Sequence, residues 1–295
     1  MKADRFFYVY KTVSERGVNV SKKELTKLQR AERSLIKTYR KEIWHPFVMA
    51  LEQYGLLEEG DRIAVCISGG KDSFILAKLM QEFQRHGPVN FKTEFIAMDP
   101  GYTERNRVSL EENAKELGIP IHIFETNIFR VADMQEKNQC YLCAKMRRGC
   151  LYSKARELGC NKIALGHHMD DVIETTLMSM FYSSQIRSMI PKLKSLNYPG
   201  MELIRPLYRI REKDIIKWAD YTGLTFKSCD CFGSRMEKEG NSKRAETKAL
   251  IRQLEKENPG IAKSLFRSIH SVALDTLPGY TFKEKDYTFL DNYDD

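Results

Sequence analysis

The sequence predicts an α/β fold: a parallel sheet covered by helices on both faces, with helical additions at the N- and C-terminal ends. Three observations carry this. Apolar runs of strand length alternate with longer runs of helical period through the middle of the chain. The first of them, Arg62-Ile-Ala-Val-Cys-Ile67, passes directly into Ser68-Gly69-Gly70 and then into a helical pattern. No internal repeat or low-complexity tract points to a solenoid or a fibre.

From Ser21 to about Ile43, Leu25, Leu28, Ala31, Leu35 and Tyr39 recur at three- and four-residue steps and form one apolar stripe. Lys23, Lys27, Arg30, Arg33, Lys37 and Arg40 recur at similar steps on another face, either a solvated surface or a phosphate-contacting one. Asp61–Ile67 reads as a buried strand and leads into a helix to about Arg85. Phe91–Met98 is a second strand, Glu104–Leu117 a helix and Pro120–Phe124 a third strand. Leu142–Leu158 is helical, Lys162–Leu165 a strand, and Asp170–Tyr182 and Glu212–Tyr221 are helices. Helical patterns resume from Ser242 to about Ala273, and the aromatic, acidic tail from Pro278 carries no assigned role. Ligands of such sheets sit at the carboxyl ends of the strands, where the conspicuous loops fall.

Composition narrows the class. With 295 residues, 42% hydrophobic and 30% charged, the chain is of ordinary globular type. No stretch reaches the ~20 apolar residues of a membrane span, and no signal-peptide core opens the sequence, so a cytoplasmic location is expected. A net charge of +8 favours an anionic partner such as a nucleic acid. Seven cysteines in a reducing compartment argue against a disulfide framework.

Ser68-Gly69-Gly70-Lys71-Asp72-Ser73 lies between the first strand and its helix. Its glycines let the backbone approach an anion, the helix start presents free N–H groups, and Lys71 adds a charge. The Ser68 and Ser73 hydroxyls are expected as phosphate donors. Asp72 is unfavourable beside phosphate unless it helps to hold Mg²⁺. The spacing is not that of a Walker A loop.

This hexapeptide resembles the PP-loop of the ATP-pyrophosphatase superfamily, whose members cleave ATP between its α and β phosphates and leave AMP on the substrate. Further motifs narrow the resemblance to the tRNA 2-thiocytidine synthetase family. They are Cys140-Tyr-Leu-Cys143, Arg147-Arg148-Gly149-Cys150-Leu151-Tyr152, Ala164-Leu-Gly166-His167-His168-Met169-Asp170-Asp171, Met180-Phe181-Tyr182, Pro191-Lys192-Leu193, Ile204-Arg205-Pro206-Leu207 and Arg211-Glu212-Lys213-Asp214-Ile215. The resemblance covers roughly Leu57 to Val272. The neighbouring 2-thiouridine synthetases carry extra N-terminal zinc-finger cysteines, whereas this chain has no cysteine before Cys66. The resemblance implies a PP-loop/HUP-type, Rossmann-like domain over residues 57–225, between a basic helical region (1–56) and a C-terminal region (226–295).

A Cys-x-x-Cys pair opening a helix suits a metal or cluster; alone it also suits half a zinc site or a redox pair. By resemblance, Cys140, Cys143 and Cys229 hold a [4Fe–4S] cluster. Cys229 is chosen over Cys231 because it keeps the family's distance to Gly233-Ser234, although this chain has Cys-x-Cys where the family usually has Cys-x-x-Cys. Cys66, Cys150 and Cys160 are expected to pack as small hydrophobes. At the turn after the fourth strand, Asp170 is the expected N-cap and Asp171 the inward-facing carboxylate. The resemblance gives Asp171 a role in Mg²⁺ binding or proton removal, Arg147 one in stabilising phosphoryl charge, and Gly166 a place in the nucleotide site.

The expected activity is ATP-dependent thiolation of a cytidine at position 32 of a tRNA anticodon loop. It uses ATP, Mg²⁺ and the cluster, with tRNA and a sulfur donor (a cysteine desulfurase or free sulfide) as partners and a homodimer among the expected states. The alternatives are the same chemistry on another base, such as a 2-thiouridine product, and a metal-stabilised ATP-binding module without catalysis.

Overall fold

The computed structural model describes residues 25–128, 139–226 and 242–293. Its first helix, α1 (Lys27–Arg33), opens on Thr26, whose hydroxyl accepts from the Gln29 amide while the Gln29 side chain accepts from the Thr26 amide. The periodicity predicts one α-helix as far as Ile43. Instead the backbone widens into two π-helical turns, Ser34–Thr38 and Arg40–Trp44, before α2 (His45–Gln53). Each π turn takes up an extra residue and rotates the next part of the helix about its axis. Ile43, Trp44, Phe47 and Ala50 therefore enter the core, while Leu25 is exposed and Tyr39 only half-buried. Arg30, Arg33, Lys37 and Arg40 stay exposed, Lys27 pairs with Glu116 at 3.1 Å, and Lys23 lies outside the described residues.

The sheet contains β1 (Arg62–Ile67), β2 (Lys92–Asp99), β3 (Ile121–Glu125), β4 (Lys162–Ala164), β5 (Lys192–Lys194) and β6 (Glu202–Ile204). Their order is β3-β2-β1-β4-β6-β5, parallel throughout except for β5, which runs antiparallel to β6. The last two strands have no counterpart among the expected elements. From β1 the chain steps outward through β2 to β3, then returns to the other side of β1 with β4. The strand order thus reverses between β1 and β4, the switch point where doubly wound sheets bind ligands.

Helices α3 (Lys71–His86), α4 (Glu104–Glu116), α5 (Gln139–Glu157), α6 (Met169–Ser183) and α7 (Glu212–Thr222) fall where the periodicity places them, within a residue or three. Alternation along β1 sends Ile63, Val65 and Ile67 into one apolar cluster with Trp44, Phe47, Phe74 and Phe83. Ala64 and Cys66 enter another with Tyr152, Ala155 and Ile163 on the opposite face. The N-terminal helices thus share a core with β1 and α3. At the amino end of the strands, fully buried Lys162 reaches Asp61 at 2.7 Å, and Asn161 donates to the same carboxylate at 2.7 Å. Removing one partner of such a buried pair costs about 3–5 kcal/mol.

Beyond α7 come α8 (Lys243–Glu257), packed on α6, and α9 (Ile261–Ser268). The aromatic tail forms a hairpin, β7 (Gly279–Phe282) with β8 (Lys285–Thr288). Among the described residues, no helix is long and apolar enough to cross a membrane.

Candidate active site

The loop after β1 makes its turn at Gly69, whose φ of +87° lies in the left-handed region open to glycine. Gly70 then caps α3 with no side-chain hydrogen bond, which leaves the first-turn amides and the positive end of the helix dipole available to an anion. Ser73 is buried, and its hydroxyl donates to the Gly70 carbonyl at 2.8 Å. That hydrogen bond holds the turn at the start of α3. Ser68 is exposed, and its carbonyl accepts from Tyr102 Oη at 3.2 Å. Tyr102 belongs to the loop after β2, where Asp99 accepts from the Gly101 and Tyr102 amides and pairs with Arg107 at 2.9 Å. Burial pushes the Asp99 carboxyl up, and these partners outweigh it, leaving it below its ordinary value.

Lys71 Nζ lies 3.2 Å from Asp72 Oδ2 and 3.2 Å from Glu212 Oε1. Glu212 Oε2 is held in turn by Lys248 of α8 at 2.6 Å. Burial would raise the Glu212 carboxyl, but the Lys248 hydrogen bond and the two lysine charges bring it down to about 2. Burial lowers Lys71, and its two carboxylate neighbours more than compensate, so it stays a cation.

The opposite wall is the turn after β4. An added Cβ on Gly166 would meet the Asp72 carbonyl carbon and oxygen at 3.1 Å and the Ser73 nitrogen at 3.2 Å. The two walls therefore touch through backbone. His168, not Asp170, caps α6: its Nδ1 accepts from the Asp171 amide at 3.3 Å while Asp171 Oδ2 accepts from the His168 amide at 3.0 Å. Asp170 is drawn away by Arg211 at 2.9 Å and by the Glu212 amide at 2.6 Å. The expected cap is corrected for that reason. Asp171 Oδ1 faces Arg244 at 3.5 Å. Burial raises Asp171, and the adjacent His168, its amide, His167 and Arg244 together hold it below the usual range.

Two buried polar atoms here make no hydrogen bond among the described residues: Asp72 Oδ1 and His167 Nδ1. Burial depresses His167 to about 4, so it is neutral near pH 7. His168 Nε2 stands 3.8 Å from Asp72 Oδ1. No group of three or more His, Cys, Asp or Glu side chains forms a metal site among the described residues. One or two carboxylates completed by phosphate oxygens is, however, the usual way Mg²⁺ is held, and the unpartnered Asp72 oxygen fits that pattern.

Helix α5 leads from the carboxyl side of the sheet down to the amino end of β4, so its first turns lie on the same side as the loop. They carry Cys140, Cys143 and Arg147. Cys143 and Arg147 are half-buried. Positions three residues apart on a helix share a face, and the soft donors of a cysteine pair suit an iron–sulfur group. Cys229 and Cys231 lie outside the described residues. Cys66 and Cys160 are buried, and burial pushes their thiols up to about 12 and about 11, as expected of packing residues.

The structure thus gathers Ser68 to Ser73, Gly166 and Asp171 at one switch point. Sequence reasoning assigned no role to Glu212, Lys248, Arg211 or Arg244. Glu212 belongs to the Arg211-Glu-Lys-Asp-Ile215 motif, while nothing local marks Lys248.

Residues 32–234 match the PP-loop domain family. The chain is 38% identical over 230 residues to the tRNA-cytidine(32) 2-sulfurtransferase of Photobacterium profundum, covering 76% of this chain and 74% of that one. It is 34% identical over 267 residues to the same enzyme of Burkholderia multivorans, covering 88% and 78%. In fold it is similar to the U34-tRNA thiolase NcsA of Methanococcus maripaludis, a structure solved with its [4Fe-4S] cluster. The TM-score there is 0.60 at 22% identity, over 77% of this chain and 78% of that one.

Proposed function

The chain belongs to the tRNA-cytidine(32) 2-sulfurtransferase family of PP-loop proteins, and from that premise we propose how its residues carry out the reaction. It is an ATP-dependent tRNA sulfurtransferase. The observation that carries the reading is the pairing of an uncapped α3 N-terminus and Lys71 with an unpartnered Asp72 oxygen, across backbone contact from Gly166.

In the first step the C2 oxygen of the cytidine attacks the α-phosphorus of ATP. The new O–P bond forms as the bond to the bridging oxygen breaks, and pyrophosphate leaves. The amides after Gly69 and the Lys71 ammonium bind the phosphates and offset the charge gathering on them. Asp72, with Asp171, would hold Mg²⁺, which would offset the same charge on the phosphates. In the second step sulfide, supplied free or released by thiol reduction of a cysteine desulfurase's persulfide, attacks C2, and AMP departs with the original oxygen. Cys140, Cys143 and Cys229 would hold a [4Fe–4S] cluster, which when bound offers an iron with an exchangeable position for sulfide. Arg147, one turn after Cys143, stabilises phosphoryl charge. The base must leave its stack to reach the site, and an anticodon-loop nucleotide does so at little cost.

Nucleoside mass spectrometry of tRNA from a strain lacking this protein tests the reading. Loss of 2-thiocytidine, restored by the intact gene, is expected. Undiminished 2-thiocytidine would end it.

A further inference from the structure

The two longest runs of this chain without aspartate or glutamate lie in its middle, although the whole has 40 such residues. One includes residues 139–156, almost all of α5, with five Lys and Arg. The other is residues 175–201, from mid-α6 through β5, with three. The fold joins them. Tyr198 Oη donates to the Gly149 carbonyl at 3.0 Å, and the Tyr198 ring stacks on Tyr152 with centroids 5.0 Å apart. Neither segment contributes a carboxylate to the surface they share; from outside them Glu246 accepts from Tyr182 Oη at 2.7 Å, and Glu58 and Glu202 each pair with Lys192 at 3.0 Å.

That surface is also apolar and firmly built. Every residue from Met180 to Arg187 is exposed, Phe181 at 50% and Ile186 at 64%. The segment is held in place. Ser179 Oγ donates to the Gln185 carbonyl at 2.8 Å, and Thr176 and Ser188 share a hydroxyl contact at 2.9 Å. Exposed apolar groups on a fixed frame mark an interaction site. Lys145, Arg187 and Lys194 are exposed and make no ion pair among the described residues.

We propose that this face, centred on Phe181, Ile186, Arg187 and Lys194 with Lys145 and Arg148 alongside, is the docking surface for the tRNA anticodon arm. The proposal rests on the thiolation reading and deepens it. Aromatic and aliphatic groups give unpaired bases a stacking platform, while unpaired cations meet phosphates. A second copy of the chain fits worse, because a two-fold contact would set the unpaired Arg187 and Lys194 of one copy against the same cations of the other. Phe181 sits towards the far end of α6 from His168 and Asp171, about 15 to 20 Å away by helix rise. It therefore grips nucleotides to one side of the reacting base.

The test uses the full chain and an unmodified tRNA transcript with cytidine at position 32. Arg187→Glu with Lys194→Glu is expected to weaken tRNA binding at least tenfold and to lower the log–log salt slope by about 1.4 to 1.8. Phe181→Ala is expected to weaken it about tenfold. Binding of a non-hydrolysable ATP analogue should be unchanged in both, which shows that they are folded. Wild-type affinity and slope in these variants would overturn the proposal. So would conversion of a dimer to monomers by Phe181→Ala with tRNA affinity intact, since the face would then be a self-association surface. Failure of the wild-type protein to bind tRNA at all would instead remove the thiolation reading, and this proposal with it.

Discussion

Lys71 and Glu212, 141 positions apart in sequence, meet at 3.2 Å, and this contact links the nucleotide loop to α8 through Lys248. Glu212 stays ionised well into acid, so near neutral pH it fixes the Lys71 ammonium at all times. Glu212→Gln is expected to lower adenylylation about tenfold while ATP affinity stays within about threefold of wild type, because a positioning partner is lost rather than a ligand contact. Steady-state kinetics beside direct ATP binding separates the two. A loss confined to affinity would show that Glu212 acts only through net charge.

Lys71→Ala removes a charge from the transition state itself. Turnover to AMP and pyrophosphate is expected to fall by about 100- to 1,000-fold with thermal unfolding little changed. Product analysis by chromatography checks both the size of the loss and the identity of the products. ADP and phosphate from the wild-type enzyme would contradict the mechanism.

Gly166→Ala places a methyl 3.1–3.2 Å from the backbone of Asp72 and Ser73. No flexible side chain is there to yield, so the loop must shift by a few tenths of an ångström. ATP-analogue binding is expected to weaken about tenfold in calorimetry, with the circular dichroism spectrum preserved. Wild-type binding would mean that the loop tolerates the shift.

Glu174, buried one turn into α6 with Arg244 3.7 Å away, has its carboxyl raised to about 7, first by burial and despite Lys248 and Arg244. An acid whose folded value exceeds its unfolded 4.5 costs the fold nothing below pH 4.5 and the full penalty above pH 7. That penalty is about 3 kcal/mol. Glu174→Gln is expected to be more stable than wild type at pH 8 by up to that amount and equal to it near pH 4. Denaturant unfolding across this range is the measurement. A constant difference at all pH values would assign the effect to packing.

Single Cys→Ser variants prepared without oxygen are expected to lose iron and thiolation at Cys140, Cys143 and Cys229, and to retain both at Cys231. Retention in Cys229→Ser with loss in Cys231→Ser would exchange the two assignments. Loss in both would indicate four thiolate ligands and a closed site.

The parts of this fold that depend on neighbours in sequence were legible in it. The Ser-Gly-Gly turn after β1 is announced by six adjacent residues, and α3 through α7 by their periodicity. The parts that depend on distant partners were not. β5 (Lys-Leu-Lys) and β6 (Glu-Leu-Ile) have no apolar run like that of Ile163-Ala-Leu165 to mark them, and exist because β4 offers a free edge. Asp170 reads as a cap by its chemistry, yet Arg211, 41 residues on, claims it and leaves the cap to His168. Lys248 looks like any exposed-face lysine of an amphipathic helix. The π turns escaped because they interrupt the 3.6-residue period that defines a helix in sequence.

The dependence of Lys71 on Glu212, and of Glu212 on Lys248, also sets an order in time. A ribosome releases residue 71 long before residue 248, and the Gly166 wall emerges between them. Until α8 has been made and docked, Glu212 lacks Lys248 and holds Lys71 without that support, so a partly synthesised chain is expected to adenylylate more slowly than the finished one.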